Sequence, residues 1–316
     1  MDISVIIPLY NKAPHIKRAI DSILNQTIPV GEVIVVDDGS TDGGGKIVEA
    51  ITDPRLRLIR QVNCGQHAAR NRGTTEASNP FVGFLDADDE WKPDFLIHIL
   101  RLMTNFPDCG AYATSAQIIK PDGKIVYPKL VDIPPEPWIG IIPNFFILFQ
   151  AGFAFNCSSI VINKKILQEV GGFPVDTTYS GDVACWVKIA IRYPIAFSPT
   201  RSIIYHQEAQ NRVGPKYEFL NEMPAIQIIR EAIDSGVIPK ELQPDALEYS
   251  AQKQIEIAVY NVMAGNPHKA RQLLATCKHT KKYMSDWLWW RMWASLPAGW
   301  PLRILQAKKL LQGKLR

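Results

Sequence analysis

Roughly the first hundred residues alternate between two hydrophobic periodicities, and this alternation limits the fold more than any other feature of the chain. Ser4-Val5-Ile6-Ile7-Pro8 is a short unbroken apolar run, as expected of a strand buried on both faces. Behind Pro14, a residue suited to a first helical turn, Ile16, Ala19, Ile20, Ile23 and Leu24 recur at helical spacing. Val33 to Val36 is a second buried strand, ending in Asp37-Asp38-Gly39-Ser40 and followed by a helix through about Ile51. Leu56 to Ile59 is a third, with a helix from roughly His67 to Ala77 after Gly65, and Phe81 to Leu85 is a fourth. Continuous apolar strands alternating with helices predict an α/β fold, a mostly parallel central sheet flanked by helices. Ligands of such sheets sit beyond the carboxyl ends of the strands, where Tyr10, Asp38 and Asp86 to Asp89 would share one crevice.

From about Cys109 the pattern becomes mixed: strands at Ala111 to Ile119 and Lys124 to Tyr127 around a Pro121-Asp122-Gly123 turn, then a Pro-rich connection through Pro137. Ser158 to Ile162 reads as a further strand, Gly171-Gly172-Phe173 as a turn, and Gly181 to Tyr193 as a helix carrying Trp186. After about Pro215 the pattern is helical, at Ala225 to Ile233, Ala246 to Met263 and Lys269 to Cys277, with Gly265-Asn266-Pro267 a stop and turn. The expected organisation is a domain over 1–215, divided into halves 1–108 and 109–215, and a C-terminal helical appendage over 216–316.

A net charge of +4 from 35 basic and 31 acidic residues gives no electrostatic reason to expect nucleic acid as a partner. Five scattered cysteines without a C-x-x-C pair signal neither a disulfide framework nor a structural zinc, and fit a reducing cytoplasm. The N-terminus lacks the pattern of a signal peptide, and no uncharged apolar run reaches the ~18 residues of a spanning helix.

Three polar segments interrupt the apolar pattern. Phe84-Leu85-Asp86-Ala87-Asp88-Asp89-Glu90-Trp91 places four carboxylates within five residues at a strand end. Such a cluster suits a hard divalent cation, Mg²⁺ or Mn²⁺, held by one or two carboxylates together with substrate phosphates. Alternatively it is an acidic cap for a helix starting near Pro93, the better reading for Asp89 and Glu90. If a cation is what relieves the repulsion, the carboxylates should be disordered or splayed without one. Asp37 to Asp42 reads as turn and cap chemistry, with Ser40 or Asp42 capping the next helix, and leaves Asp38 able to accept a hydrogen bond from a nucleobase N–H. In Asn63-Cys64-Gly65-Gln66-His67-Ala68-Ala69-Arg70-Asn71-Arg72-Gly73, Arg70 could pair with phosphate oxygens or with a base, whereas Arg72 reads as a solvated charge.

SVIIPLYNK, VIVVDDGSTD, NCGQHAARNRG and FLDADDEW, in this order and spacing, resemble the nucleotide-sugar-binding half of family 2 glycosyltransferases, which have the GT-A fold. The resemblance implies a metal-dependent, inverting glycosyltransferase of the hexosyltransferase type, using Mn²⁺ or Mg²⁺ and a nucleotide-sugar donor, UDP-linked, in cell-envelope or exported polysaccharide synthesis. It implies that Pro8 and Tyr10 line the base pocket, Asp38 binds uracil, Arg70 lies near the nucleotide, and Asp86 and Asp88 bracket the ribose and the metal. It implies Asp88 as the metal ligand, with Asp86 a further candidate; His206, a lone histidine at a strand end, could approach the metal or acceptor, with a structural role as its plain alternative. The family's Glu-Asp pair ahead of a helical Trp is matched by Gly181-Asp182 before Trp186, so Asp182 corresponds to the catalytic base and the Glu is absent. That departure puts acceptor contacts in doubt, and an N-cap of the Trp186 helix is the plain alternative for Asp182.

Two other classes stay open. A sugar-phosphate nucleotidyltransferase should carry a Gly-rich basic loop after the first strand, where this chain has Leu9-Tyr10-Asn11-Lys12. A non-catalytic nucleotide-sugar-binding scaffold would account for Gly181 but not for Asp86, Asp88 and Asp182. Four of the eight tryptophans fall at 287, 289, 290 and 293, and Lys308, Lys309, Lys314 and Arg316 follow. The segment 281–316 therefore reads either as an interfacial helix, making the protein peripheral on the cytoplasmic face of the membrane and close to a saccharide or lipid-linked saccharide acceptor, or as packing against protein, including a homodimer partner.

Overall fold

The computed structural model describes residues 3–177, 180–209, 221–297 and 300, and the chain divides into two compact units, Met1–Arg212 and Val213–Arg316. The first unit begins with β1 (Ile3–Leu9), α1 (Ala13–Leu24), β2 (Glu32–Asp37), α2 (Gly44–Glu49), β3 (Leu56–Arg60), α3 (Gln66–Glu76) and β4 (Phe81–Phe84). It continues through β5 (Glu90–Trp91), α4 (Phe95–Asn105), β6 (Ala111–Ile119), β7 (Ile125–Val126), β8 (Gly140–Ile141), α5 (Phe145–Gln150), β9 (Ile160–Asn163), α6 (Lys164–Glu169), α7 (Gly181–Ala190) and β10 (Ile195–His206).

The sheet runs β3-β2-β1-β4-β9-β6-β10-β5, with β7 beside β6 and β8 beside β10. β3, β2, β1 and β4 are parallel, β9 runs antiparallel between β4 and β6, and β10 is parallel to β6. The apolar runs form the buried strands expected of them, with Val5, Ile6, Ile7, Val33, Ile34 and Val35 fully covered. Pro8 lies past the last β1–β4 pair, Ile6↔Phe84, so its missing N–H leaves no ladder bond unmade on that side. Ile16, Ala19, Ile20 and Ile23 form the buried face of α1.

Helix α3 reaches the sheet by a different route, because it has few large apolar residues. A Cβ at Gly73 would lie 2.5 Å from Ile6, so this glycine allows the helix backbone to approach β1 closely. Close approach leaves Arg70 in the interior, 2% exposed.

β10 contains Pro199 and is paired along both edges. Its register against β6 shifts between Ser198 and Ile203, a bulge that accommodates the proline and carries the strand on to His206. There β10 pairs with the two-residue β5 through Ile204↔Glu90 and Ile203↔Trp91, fixing the end of FLDADDEW to the far side of the sheet.

The second unit contains α8 (Pro224–Asp234), α9 (Gln243–Met263), α10 (Pro267–Thr276) and α11 (Met284–Trp293), without a strand among the described residues. Asn266 accepts a hydrogen bond from the Lys269 N–H at 3.1 Å and Gly265 takes φ +85°, so the turn between α9 and α10 has the expected chemistry. Trp287 and Trp293 are buried, and the Trp287 indole N–H donates to the Leu274 carbonyl at 2.7 Å. The opposite face of α11 exposes Met284, Leu288, Trp289 and Met292. Among the described residues no helix is long and apolar enough to cross a membrane. Lys308, Lys309, Lys314 and Arg316 lie outside the described residues.

Candidate functional site

The loops after β1 and β2 are tied to each other. The Asp38 N–H donates to the Leu9 carbonyl at 2.8 Å, the Asn11 N–H to Ser40 Oγ at 3.1 Å, and the Thr41 N–H to Asn11 Oδ1 at 2.8 Å. Tyr10, 49% exposed, stands over this knot. Asp38 is buried and already engaged: Oδ1 accepts from Gln61 Nε2 (2.8 Å) and the Cys64 N–H (2.9 Å), and Oδ2 from the Gly65 N–H (2.8 Å). It therefore shapes the 61–65 turn ahead of α3, with at most one lone pair left for a base. The expected Ser40 or Asp42 cap takes a different form, because Gly43 holds the position before α2. Asp42 accepts from the Gly44 N–H at 2.9 Å and from the Ala13 N–H of α1 at 2.8 Å, serving two helix starts.

The four carboxylates of FLDADDEW do not splay. Asp86 Oδ1 accepts from Arg70 Nη2 at 2.5 Å, and Asp88 Oδ2 meets Lys12 Nζ at 2.6 Å while its carbonyl accepts from Arg18 Nη2 at 2.6 Å. Asp89 is fully buried, where Oδ2 accepts from the Ser158 hydroxyl at 2.5 Å and Oδ1 from the His206 N–H at 3.1 Å. Burial first, then the Asp86 and Asp88 charges, raise its pKa well above the ordinary carboxylate value. Glu90 is in β5, 3.6 Å from Arg18 Nε and 3.4 Å from His206 Nε2. The helix-cap reading of Asp89 and Glu90 is thus incorrect. α4 starts at Phe95, Asp89 is committed to β10 and to the 3₁₀ turn Cys157–Ser159, and Glu90 is committed to β10. The repulsion is relieved by Arg70, Lys12 and Arg18 and by the raised pKa of Asp89, so the expected disorder or splaying of the cluster is not what the structure has.

Arg70 connects this loop to the second half of the unit. Its guanidinium carbon lies 5.6 Å from the Phe173 ring centroid. Asn71 fixes that ring by accepting the Phe173 N–H at 3.0 Å and donating to its carbonyl at 2.7 Å. Next to this contact α7 begins, after Ser180 at φ +56°. Asp182 is in the first turn of α7 and is not its N-cap, and its Oδ1 accepts the adjacent Val183 N–H at 2.8 Å. Burial raises its pKa, and the opposing charge of Arg70 lowers it only in part. Arg70 is close enough to both Asp86 and Asp182 for each to act on its charge.

Among the described residues no three His, Cys, Asp or Glu side chains converge to hold a metal by themselves. The partly accessible oxygens of the cluster are those of Asp86, Asp88 and Glu90, whose side chains are 29%, 13% and 31% exposed. Buried His15 Nε2 has no hydrogen-bond partner among the described residues and shares its surroundings with Asp88, Lys12, Arg18 and His206, while His206 Nε2 faces Glu90 Oε2 at 3.4 Å. One or two carboxylates with an open nitrogen donor beside them fit a divalent cation whose remaining ligands come from substrate oxygens. Lys12, His15, Arg18, His67 and Ser158 escaped the sequence reading as site residues. Lys12 and His67 lie inside quoted motifs, and a basic or imidazole side chain next to a strand-end acid was the available signal.

The family model described as Glycosyl transferase family 2 matches residues 4–171. EpsJ of Bacillus subtilis (strain 168), an uncharacterized glycosyltransferase, is 45% identical over 89 residues, 28% of this chain and 26% of EpsJ. The chondroitin synthase of Pasteurella multocida (strain Pm70) is 32% identical over 126 residues, 39% of this chain and 13% of that protein. The matches thus span 26% and 13% of these relatives' length. In fold, the chain is similar to Staphylococcus aureus TarS 1–349 in complex with UDP-GlcNAc, with a TM-score of 0.61 at 18% identity over 92% of this chain and 79% of TarS 1–349. It is also similar to the mannosyltransferase PcManGT from Pyrobaculum calidifontis in complex with GDP-Man and Mn²⁺, with a TM-score of 0.57 at 22% identity over 93% and 83%.

Proposed function

Because the chain belongs to glycosyl transferase family 2, we propose that it moves a sugar from a nucleotide-sugar donor, UDP-linked, to an acceptor hydroxyl with inversion at the anomeric carbon. The observation that carries this reading is the shared influence of one buried guanidinium, Arg70, on Asp86 of the acidic loop and on Asp182 of α7. Inversion without a covalent intermediate needs a base on one side of the anomeric carbon and stabilisation of the departing diphosphate on the other. Asp182 is suited to the first task, since it has no salt-bridge partner among the described residues and burial makes it more basic than an ordinary aspartate. Lys12 and Arg18, beside Asp88, can hold phosphate oxygens. Asp88, with Asp86 or His206, would hold Mn²⁺ or Mg²⁺, which when bound supplies Lewis-acid stabilisation to the diphosphate. Tyr10, Pro8 and the turn organised by Asp38 would receive the base.

The polysaccharide context is supported by the names of the relatives, the chondroitin synthase among them. In the second unit, the exposed Met284, Leu288, Trp289 and Met292 face of α11 supports contact with an anionic lipid surface, because Asp286 is the only acid after Glu256 in a strongly basic stretch. Trp287 and Trp293 belong to protein packing instead. Flotation with phosphatidylglycerol vesicles should carry the wild type upward and leave Leu288→Glu/Trp289→Glu behind. Equal flotation of both, or a dimer broken by the double substitution, would count against lipid.

The activity is tested by release of nucleoside diphosphate from UDP-GlcNAc, UDP-glucose, UDP-galactose and GDP-mannose with Mn²⁺ or Mg²⁺. Metal-dependent release from one of them is expected. Release of pyrophosphate from a nucleoside triphosphate and a sugar phosphate would point to the nucleotidyltransferase reading, and binding without release to the scaffold.

A further inference from the structure

His67, at the start of α3, is 4% exposed and lies flat over Phe173, with ring centroids 5.9 Å apart and planes 7° from parallel. Its Nδ1 is 3.3 Å from Arg70 Nη1. A guanidinium has only donors, so Nδ1 accepts, and the single proton of a neutral imidazole is then on Nε2. The ring is neutral near pH 7, since burial, followed by the charge of Arg70, pushes its pKa down to about 4. That leaves a buried Nε2–H with no partner among the described residues. An orphaned donor in an interior is costly enough that a partner arriving with a ligand is the economical explanation.

Gly181 packs directly against this end of the ring. A Cβ there would lie 2.5 Å from His67 Nε2 and 2.8 Å from both His67 Cδ2 and Thr177 Cγ2. Gly181 is a helical residue outside the positive-φ region, so its backbone does not require glycine. What the glycine provides is room for the imidazole, immediately before Asp182. The replacement of an acid by glycine and the presence of His67 are thus two sides of one packing arrangement.

We propose that His67 Nε2–H donates a hydrogen bond to a hydroxyl oxygen of the sugar being transferred, which makes His67 a specificity-determining residue. This rests on the proposed function above. A neutral hydroxyl is favoured over a phosphate oxygen because the charge of Asp86 acts on this ring, Asp182 directly follows the Gly181 that packs on it, and Arg70 is already paired with Asp86. The donor sugar is favoured over the acceptor because His67 is on the same helix as Arg70, which is fixed to the acidic loop.

The test is calorimetric binding with Mn²⁺ of UDP and GDP and of UDP-GlcNAc, UDP-glucose, UDP-galactose and GDP-mannose. His67→Phe keeps the ring stack and removes the donor, and His67→Gln returns an N–H near the same place. For the sugar nucleotide that the wild type binds, His67→Phe should raise the ratio of its Kd to that of the free nucleoside diphosphate by about 3- to 10-fold. The diphosphate Kd should stay within about twofold, and His67→Gln should recover part of the loss. If His67→Phe does not fold, Gly181→Ala, which crowds Nε2 from the other side, must raise the same ratio. An unchanged ratio in a variant with native-like melting overturns the assignment of His67 alone. Failure of the wild type to bind any of the sugar nucleotides overturns the reading of function beneath it.

Discussion

The acidic loop after β4 and the Gly181-Asp182 turn at the start of α7 both present carboxylates, yet in opposite surroundings. In the loop every charge has an answer: Arg70 on Asp86, Lys12 on Asp88, Arg18 beside Glu90, and Ser158 with the His206 N–H on a buried Asp89. In the turn, Asp182 has its neighbouring backbone N–H and a raised pKa, with the nearest cation already paired elsewhere. Crowded carboxylates held by cations are suited to binding a charged donor, whereas a solitary, desolvated carboxylate is suited to accepting a proton. The number of acidic residues in a motif therefore says less about its task than the cations folded against it.

Arg70 acts on both Asp86 and Asp182, and its removal should have the largest effect. Arg70→Met, similar in volume, leaves Asp86 without its partner and should cost about 2–3 kcal/mol in urea titration, the partial exposure of Asp86 keeping the loss below that of a fully buried pair. A cost below about 0.5 kcal/mol would mean that the two sites are not joined through this residue.

His67 sharpens the contrast through pH. Its pKa is about 4 in the folded chain against 6.5 as reference, so the unfolded chain takes up a proton that the folded chain refuses, and stability falls as pH drops from 6.5 towards 4. At about pH 5 this amounts to about 2 kcal/mol, which His67→Phe should remove from the pH 7 to pH 5 decline. An equal decline in both proteins would assign it to another group.

Asp88→Asn should weaken Mn²⁺-dependent nucleotide binding by about tenfold or more with little change in metal-free binding. Unchanged metal dependence would remove Asp88 from that role. The smallest effect expected is in the pH profile: the acid limb of kcat/KM should lie above the ordinary aspartate value, because Asp182 stays protonated to higher pH. A limb at or below that value would argue against Asp182 as the titrating base.

Apolar periodicity made β1, β2, β4 and the face of α1 legible, since each is decided by its own residues. The setting of Asp89 and Glu90 was not legible, because it depends on β10 and Ser158, residues 69 to 117 positions away. The two-residue β5 is too short to announce itself and exists only as a partner of Ile203 and Ile204. Arg70 could be read as a crevice residue, but not its burial over Phe173, which depends on Asn71 gripping a turn 102 positions on. Gly181 was legible as a departure from the family pattern. Its physical counterpart, the imidazole of His67, was not, because that contact spans the two halves of the unit.

The central claim, that Asp182 is the base and the acidic loop the donor holder, is tested most directly by comparing transfer and donor binding in Asp182→Asn. Transfer should fall by about 10²- to 10⁴-fold while the Kd of the nucleotide sugar with Mn²⁺ stays within about twofold of the wild type. Transfer within tenfold of the wild type, or loss of donor binding together with transfer, would contradict it.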